Sequence, residues 1–171
     1  MILLGELSLW VALLMAAWAT TAGFAGAYTG RAELIASARR ALFAQCAFVI
    51  LAAAGLWTAL LTSDFSFRFV ASFTSANLPS VYKFTAFWAG QEGSLLFWVL
   101  ILSIYSAIAV YTGRKSNHEL MPWVVPTLSA IALFFVLTLC FGANPYARLD
   151  WIPPDGRGLN PQLQNPGMAA H

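Results

Sequence analysis

Long apolar stretches alternate along the chain with short segments that hold nearly all of its charged residues. Four of the apolar stretches approach or exceed the ~20 residues that a helix needs to cross a bilayer. They are Leu7–Ala27, Leu42–Thr62, Leu95–Thr112 and Trp123–Phe141. The pattern predicts an all-α fold, a polytopic membrane helix bundle with about four transmembrane helices and aromatic-rich outer loops. The first stretch lacks a basic N-terminal region and is too long for the apolar part of a signal peptide, so we interpret it as a retained span.

Two regions follow from this pattern. We expect residues 1–142 to form a four-span membrane region with an outer loop at about residues 63–94, called here the aromatic loop. We expect residues 143–171 to form an outward-facing tail rich in proline and glycine. Pro153 and Pro154 exclude a regular helix in this tail, and Asp155-Gly156 is a strong turn signal.

The aromatic loop admits two interpretations. One is an aromatic belt with a turn at the bilayer–water boundary, where aromatic side chains are favoured. The other is a surface for a flat, partly apolar ligand, with Arg68 and Lys83 facing its carboxylates. Periodicity alone does not separate the two. The aromatic residues concerned are Phe65, Phe67, Phe69, Phe73, Tyr82, Phe84, Phe87 and Trp88.

Composition supports the membrane class. Apolar residues make up 60% of the chain and charged residues 9%, whereas a soluble domain carries about 25% charged residues. The net charge is only +2 and the basic residues form no stripe, so membrane lipid is an expected partner and nucleic acid is not. Cys46 and Cys140 lie in apolar runs without a CxxC or CxxCH motif, which indicates neither a disulfide framework nor covalent haem attachment to this chain.

Basic residues in the short loops predict the orientation, because such residues resist translocation. Arg31, Arg39 and Arg40 follow the first span, and Arg114 and Lys115 follow the third. Both loops lie on one side of the membrane, which should be the cytoplasm. The N-terminus, the aromatic loop and the tail then face the periplasmic side of a cytoplasmic (inner) membrane.

Two strings carry a family resemblance. NLPSVYKFTAFWAGQEGSLLFW at residues 77–98 and GRGLNPQLQNPGMAAH at residues 156–171 resemble the N-terminal part of CcmF, the haem-lyase membrane subunit of cytochrome c maturation. The similarity runs through all 171 residues. The resemblance implies a protein that accepts haem from a haem chaperone and helps attach it to the CxxCH thiols of apocytochrome c. Its partners would be that chaperone, apocytochrome c and other maturation subunits.

The resemblance also implies a site residue. His171 is the counterpart of the first of two outward-facing histidines that bind haem iron in the family, so it is both the cofactor-binding residue and the metal ligand. No catalytic residue is assigned. The tryptophan-rich motif and the second histidine of the family would lie downstream, so we expect this chain to be the first part of a longer haem-binding protein or a split subunit. Alone, it should be inactive as a haem lyase.

Two alternatives stay open. A paralogue could perform the same chemistry for a specialised multihaem reductase, or the chain could be a non-catalytic accessory membrane subunit. A proton-translocating subunit is disfavoured, because none of the predicted spans carries a charge near its centre. His118, in the second inner loop, is interpreted as a solvated histidine without a ligand role.

Overall fold

The structure of the chain, a computed structural model, describes residues 2–116 and 119–164. Its helices are α1 (Ile2–Thr29), α2 (Ala32–Leu61), α3 (Arg68–Phe73), α4 (Ser80–Thr85), α5 (Gln91–Ser116) and α6 (Met121–Phe141), with 3-10 turns at Ala86–Trp88 and Pro161–Gln164. The described ranges contain no strand beyond one isolated bridge between Phe67 and Arg148. Helices α1, α2, α5 and α6 are long and apolar enough to cross a membrane. The prediction of an all-α polytopic bundle is confirmed.

Each long helix begins before the apolar stretch that predicted it, and it ends at, beyond or, for α2, one residue short of the end of that stretch. The sequence placed Arg39 and Arg40 in the first inner loop, but they lie within α2, and the connection from α1 is reduced to Gly30 and Arg31. Arginine is a good helix former whose long stem can carry its charge to the membrane boundary. A helix therefore continues past the end of its apolar run. Helix α5 likewise begins at Gln91, within the predicted aromatic loop and before the apolar stretch that starts at Leu95.

Close approach of two backbones holds α1 and α2 together as a hairpin. Gly30 forms the turn, since its φ of +68° lies in the left-handed region that glycine adopts without strain. At the opposite end Gly5 lies against Gly55, where an added β-carbon on Gly55 would come within 2.7 Å of the Gly5 α-carbon. Small residues at such a contact let transmembrane helices pack closely.

Helix α6 packs antiparallel to α1. Near the start of α1, Trp10 meets Phe141 edge-on, with 5.5 Å between the ring centroids. Near the end of α1, Gly23 accommodates the ring of Pro126, whose β-carbon would lie 2.8 Å from a β-carbon added at Gly23. The proline removes one backbone donor from α6, and the neighbouring glycine gives its ring the room it needs.

A buried polar pair joins α2 to α5. The side-chain Nε2 of Gln45 donates a hydrogen bond to Ser103 Oγ at 3.4 Å, and both residues are almost completely buried. In the described parts of the four long helices, charged residues lie toward the helix ends and not at the centres. Van der Waals contact and a few hydrogen bonds therefore hold the membrane interior together.

Residues 62–90 and 142–164 cover one end of the bundle, called here the loop face. Helix α3 folds back onto this end. Phe67, just before the helix, and Phe69, within it, are each only 3% exposed and belong to the main hydrophobic core. The sequence placed these two rings among the aromatic residues of an interfacial belt or a ligand surface, where they would be exposed. That prediction is wrong, because α3 packs against the bundle and so removes both rings from the surface.

Candidate functional site

The tail begins with a tyrosine inserted into the bundle. Tyr146 is 1% exposed, and its hydroxyl donates a hydrogen bond to the Ala52 carbonyl of α2. The hydroxyl lies at the contact between Gly5 and Gly55, where an added β-carbon on either glycine would collide with it. Burial raises the pKa of Tyr146, so its hydroxyl keeps the proton that it donates. The start of the tail is thereby fixed to α1 and α2.

The next part of the tail holds the beginning of α3. Arg68 N–H donates to the Ala147 carbonyl at 2.8 Å, and Leu149 N–H donates to the Ser66 carbonyl at 2.9 Å. A six-residue helix is unstable in isolation, because too few hydrogen bonds offset the cost of nucleation. These two backbone hydrogen bonds help to fix its position.

A later part of the tail holds the end of the same helix. Arg157 N–H donates to the Ala71 carbonyl at 2.8 Å, and Gly158 N–H donates to the Thr74 carbonyl at 3.0 Å. Gly156 permits this approach, because an added β-carbon would come within 2.0 Å of the Thr74 carbonyl oxygen. The tail therefore contacts α3 at both of its ends, with residues 150–154 looping out between the two contacts.

Asp155 closes the turn that the sequence predicted at Asp155-Gly156. Its Oδ1 accepts hydrogen bonds from the Gly156 N–H at 2.7 Å and from the Ala76 N–H at 2.8 Å. The second of these bonds joins the tail to the segment after α3. Much of the carboxylate's hydrogen-bonding capacity is thus used within the loop face.

Lys83 does not face a ligand. Its Nζ donates to Ser63 Oγ at 2.6 Å and to the Ala76 carbonyl at 3.2 Å, and the residue is only 9% exposed. The sequence offered Lys83 as a partner for ligand carboxylates, and this placement is wrong. The ammonium group instead joins the end of α2 to the segment before α4.

Aromatic side chains of α4 and the following turn pack on α2. The ring of Trp57 stacks on Phe84 at 5.0 Å and on Phe87 at 4.2 Å between centroids. Its Nε1–H donates to the Phe84 carbonyl at 3.3 Å. These rings stack on one another, so their faces are not free to contact a ligand. Packing within the protein therefore explains this part of the aromatic loop.

A cleft of about 430 Å³ lies between α3 and the tail, within the size range of small-molecule sites. Two guanidinium groups, those of Arg68 and Arg157, stand beside an apolar wall that includes Trp151, which is 70% exposed. We call this space the arginine cleft. Its lining residues are Arg68, Ala71, Ser72, Leu149, Trp151, Pro153, Asp155 and Arg157.

The two arginine side chains of the arginine cleft are available to bind an anion. Arg68 Nη2 lies 3.8 Å from Glu92 Oε1, and the Arg68 side chain is 56% exposed. Exposed ion pairs of this length are weak, so a ligand carboxylate can compete for the guanidinium. Arg157 is exposed and has no salt bridge to any described residue. The cleft therefore suits a ligand with carboxylates and an apolar body.

The described residues contain no cluster of side chains that could bind a metal ion. No group of three or more His, Cys, Asp or Glu side chains in residues 2–116 and 119–164 could hold a metal ion. Cys46 and Cys140 are free and buried, as their apolar surroundings predicted.

Several proteins that are similar to this chain are named for cytochrome c-type biogenesis. The chain is 36% identical over 167 residues to the cytochrome c-type biogenesis protein ccl1 of Rhodobacter capsulatus, covering 98% of the chain and 26% of that protein. It is 36% identical over 169 residues to the cytochrome c-type biogenesis protein CcmF of Pseudomonas aeruginosa, with the same coverages. It is 38% identical over 132 residues to the probable cytochrome c-type biogenesis protein NrfE of Escherichia coli, covering 76% and 24%. No family model matches the chain.

A solved structure agrees with these relatives. The cytochrome c heme lyase CcmF superposes with a TM-score of 0.76 at 26% identity, covering 85% of this chain and 24% of that one. The chain belongs to the CcmF family. It corresponds to the N-terminal portion of CcmF, as the resemblance indicated, and spans about a quarter of the length of the curated relatives it matches.

The ligand assigned by the CcmF resemblance, His171, lies outside the described residues, as does His118. The string that leads toward His171 is described as far as Gln164, and it is ordered by local contacts. Leu159 is 4% exposed, and Gln164 Nε2 donates to its carbonyl at 2.8 Å. The segment GLNPQLQ of this CcmF-type chain is thus part of the loop face.

Sequence reasoning missed three residues of this site. Tyr146, Trp151 and Arg157 were not singled out. Tyr146 had a signal, since it follows Asn-Pro directly after a span, but a buried and an exposed tyrosine look alike in a sequence. Arg157 and Trp151 meet Arg68 only through tertiary contact between distant segments, for which a single sequence has no local signal.

Proposed function

We propose that the chain forms the N-terminal membrane segment of a haem lyase subunit of cytochrome c maturation. In this function haem is the substrate, accepted from a haem chaperone and attached to apocytochrome c. Each CxxCH thiol adds across a haem vinyl group, so that a carbon–sulfur bond forms, the thiol proton ends on the other vinyl carbon, and no oxidant is consumed. The observation that carries the proposal is the 36% identity, over 98% of the chain, to proteins named for cytochrome c-type biogenesis.

The loop face is the part of this chain that would meet haem. His171 would supply one axial ligand to the iron, since neutral imidazole is a good haem ligand. The packed loop face supports this role because it fixes the preceding string, through Leu159 and the contacts around Gly158, to the membrane bundle. A ligand held on a fixed base loses less entropy on binding.

The arginine cleft would receive the propionates of the haem. Guanidinium groups bind carboxylates through paired, charge-assisted hydrogen bonds. Arg68 and Arg157 provide two such groups, and the exposed ring of Trp151 provides an apolar surface for the edge of the macrocycle. The carboxylate-facing role that the sequence gave to Arg68 and Lys83 is therefore proposed here for Arg68 and Arg157.

The chain would lie in the cytoplasmic (inner) membrane with the loop face on the periplasmic side. Arg31, Arg39 and Arg40 lie at the opposite end of the bundle, in and after the turn between α1 and α2, and basic residues favour the cytoplasmic side. Haem attachment would then occur outside the cytoplasm, where the haem chaperone and apocytochrome c would meet the loop face. Other maturation subunits would complete the assembly.

A second candidate is a paralogue with the same chemistry and a different apocytochrome, such as one for a specialised multihaem reductase. The observation behind it is that relatives named NrfE match the chain at identities similar to those of the relatives named CcmF, 38% over 132 residues against 36% over 169 residues. It differs from the first candidate in the set of cytochromes that depend on the protein.

Removal of the native protein tests the proposal. The strain should lose covalently bound haem from its c-type cytochromes, measured by haem staining after denaturing electrophoresis, and re-expression should restore it. Loss confined to one multihaem cytochrome would identify the second candidate. Residues 1–171 alone should not restore maturation, since they correspond to about a quarter of a CcmF protein. A full set of haem-stained cytochromes in the deletion strain would contradict the proposal.

A further inference from the structure

One side of α5 presents a continuous row of large exposed side chains. They recur at intervals of three and four residues, which places them on one face of the helix. We call this row the α5 stripe. Its members are Trp98, Ile101, Ile104, Tyr105, Ile108 and Tyr111.

The α5 stripe carries a polar group at the middle of the membrane. Helix α5 runs from Gln91 to Ser116, a length of about 39 Å at 1.5 Å per residue. Tyr105 lies about 21 Å from its beginning by the same measure, which is close to its centre. The side chain is 68% exposed, so its hydroxyl would lie in the hydrocarbon core of a lipid-facing α5.

Two polar tips of the α5 stripe, those of Trp98 and Tyr105, form no hydrogen bond within the described structure. Neither the Tyr105 hydroxyl nor the Trp98 indole N–H makes a hydrogen bond to residues 2–116 or 119–164. Lipid tails cannot accept one, and an unsatisfied donor in hydrocarbon is costly. Tyrosine and tryptophan accordingly pair their polar atoms when they are buried.

Near their centres, the exposed faces of the other outer helices differ in this respect. On α1 the Trp18 Nε1–H donates to Ser37 Oγ at 3.0 Å. On α6 the large exposed residues near the helix centre are Ile131, Phe134 and Leu137, which have no polar atoms. At this depth the α1 and α6 faces therefore suit lipid, whereas the α5 stripe, with Tyr105, suits a protein partner with an acceptor.

We propose that the α5 stripe is the docking surface for a further transmembrane helix, which carries a hydrogen-bond acceptor at the depth of Tyr105. The helix belongs to the remaining three quarters of the family protein, whether in one polypeptide or in a separate subunit, because the relatives are about four times as long as this chain. Isoleucines above and below Tyr105 provide the van der Waals surface of the contact. The surface is distinct from the loop face.

Photo-crosslinking of the native protein in its membrane tests the assignment. A benzophenone amino acid is incorporated at position 105, and in a matched variant at position 134, where Phe134 on α6 is 66% exposed against 68% for Tyr105. Position 105 should give a protein adduct with a peptide outside residues 1–171, in several-fold higher yield than position 134. Equal yields at the two positions, or an adduct between two copies of residues 1–171, would overturn the proposal.

A smaller change gives a second measurement. Tyr105→Phe removes only the hydroxyl, so the native protein should lose thermal stability in detergent if that hydroxyl is paired with an acceptor. Tyr28→Phe is the control, because Tyr28 is 78% exposed at the end of α1. A melting temperature for Tyr105→Phe equal to or above that of the unsubstituted protein would contradict a buried, paired hydroxyl.

Discussion

Arg157 combines a fixed backbone with an unengaged charge. Its N–H donates to the Ala71 carbonyl at the end of α3, while its side chain is exposed. Arg68, across the arginine cleft, has Glu92 at 3.8 Å. Arg157 is therefore the better placed of the two guanidinium groups to bind a carboxylate, because little has to be displaced and the main chain is already ordered.

Substitution of Arg157 tests the cleft. Arg157→Gln keeps the backbone hydrogen bond to Ala71 and removes the charge, so the haem that co-purifies with the native protein should fall several-fold while the fold is kept. Haem is measured by absorbance per mole of protein. The control is Arg31→Gln, an exposed arginine at the other end of the bundle. Equal haem content in the two variants would remove the cleft from the site.

At the scale of helices, the four spans could be predicted from the sequence, whereas the packing of the short helices and the tail against the bundle could not. The four spans follow from length and hydropathy, so their existence was predictable, although Arg39 shows that a helix continues past its apolar run. The burial of Phe67 and Lys83 was not predictable, because it depends on α3 and α4 folding back onto the bundle. The contact of the tail with α3 consists of backbone hydrogen bonds, which leave no side-chain pattern in the sequence.

Helix orientation can be tested by thiol labelling. In a background with Cys46→Ala and Cys140→Ala, single cysteines replace two exposed residues, Glu33 at the start of α2 and Asn77 on the loop face. Asn77→Cys should react with a membrane-impermeant maleimide in intact cells, and Glu33→Cys only after permeabilisation, since the basic residues near Glu33 favour the cytoplasm. Labelling in the reverse pattern would put the loop face in the cytoplasm and contradict the proposed site of haem attachment.

At the scale of the whole molecule, the loop face and the helix bundle form one packed unit. Tyr146 inserts between α1 and α2, and the segment 155–158 holds α3. The end of the described tail is thereby attached to the membrane region. We propose that the next histidine, His171, binds haem. The central proposal is that His171 binds haem iron at the loop face of this unit.

The most direct measurement is the haem content and optical spectrum of the purified native protein carrying His171→Gly. The matched control is His118→Gly, which removes the only other histidine of the chain. His171→Gly should lower the haem content or shift the haem absorption bands, and added imidazole should partly restore both the spectrum and cytochrome c maturation by filling the vacant ligand position. His118→Gly should match the unsubstituted protein. Unchanged haem content, spectrum and maturation in His171→Gly would contradict the claim.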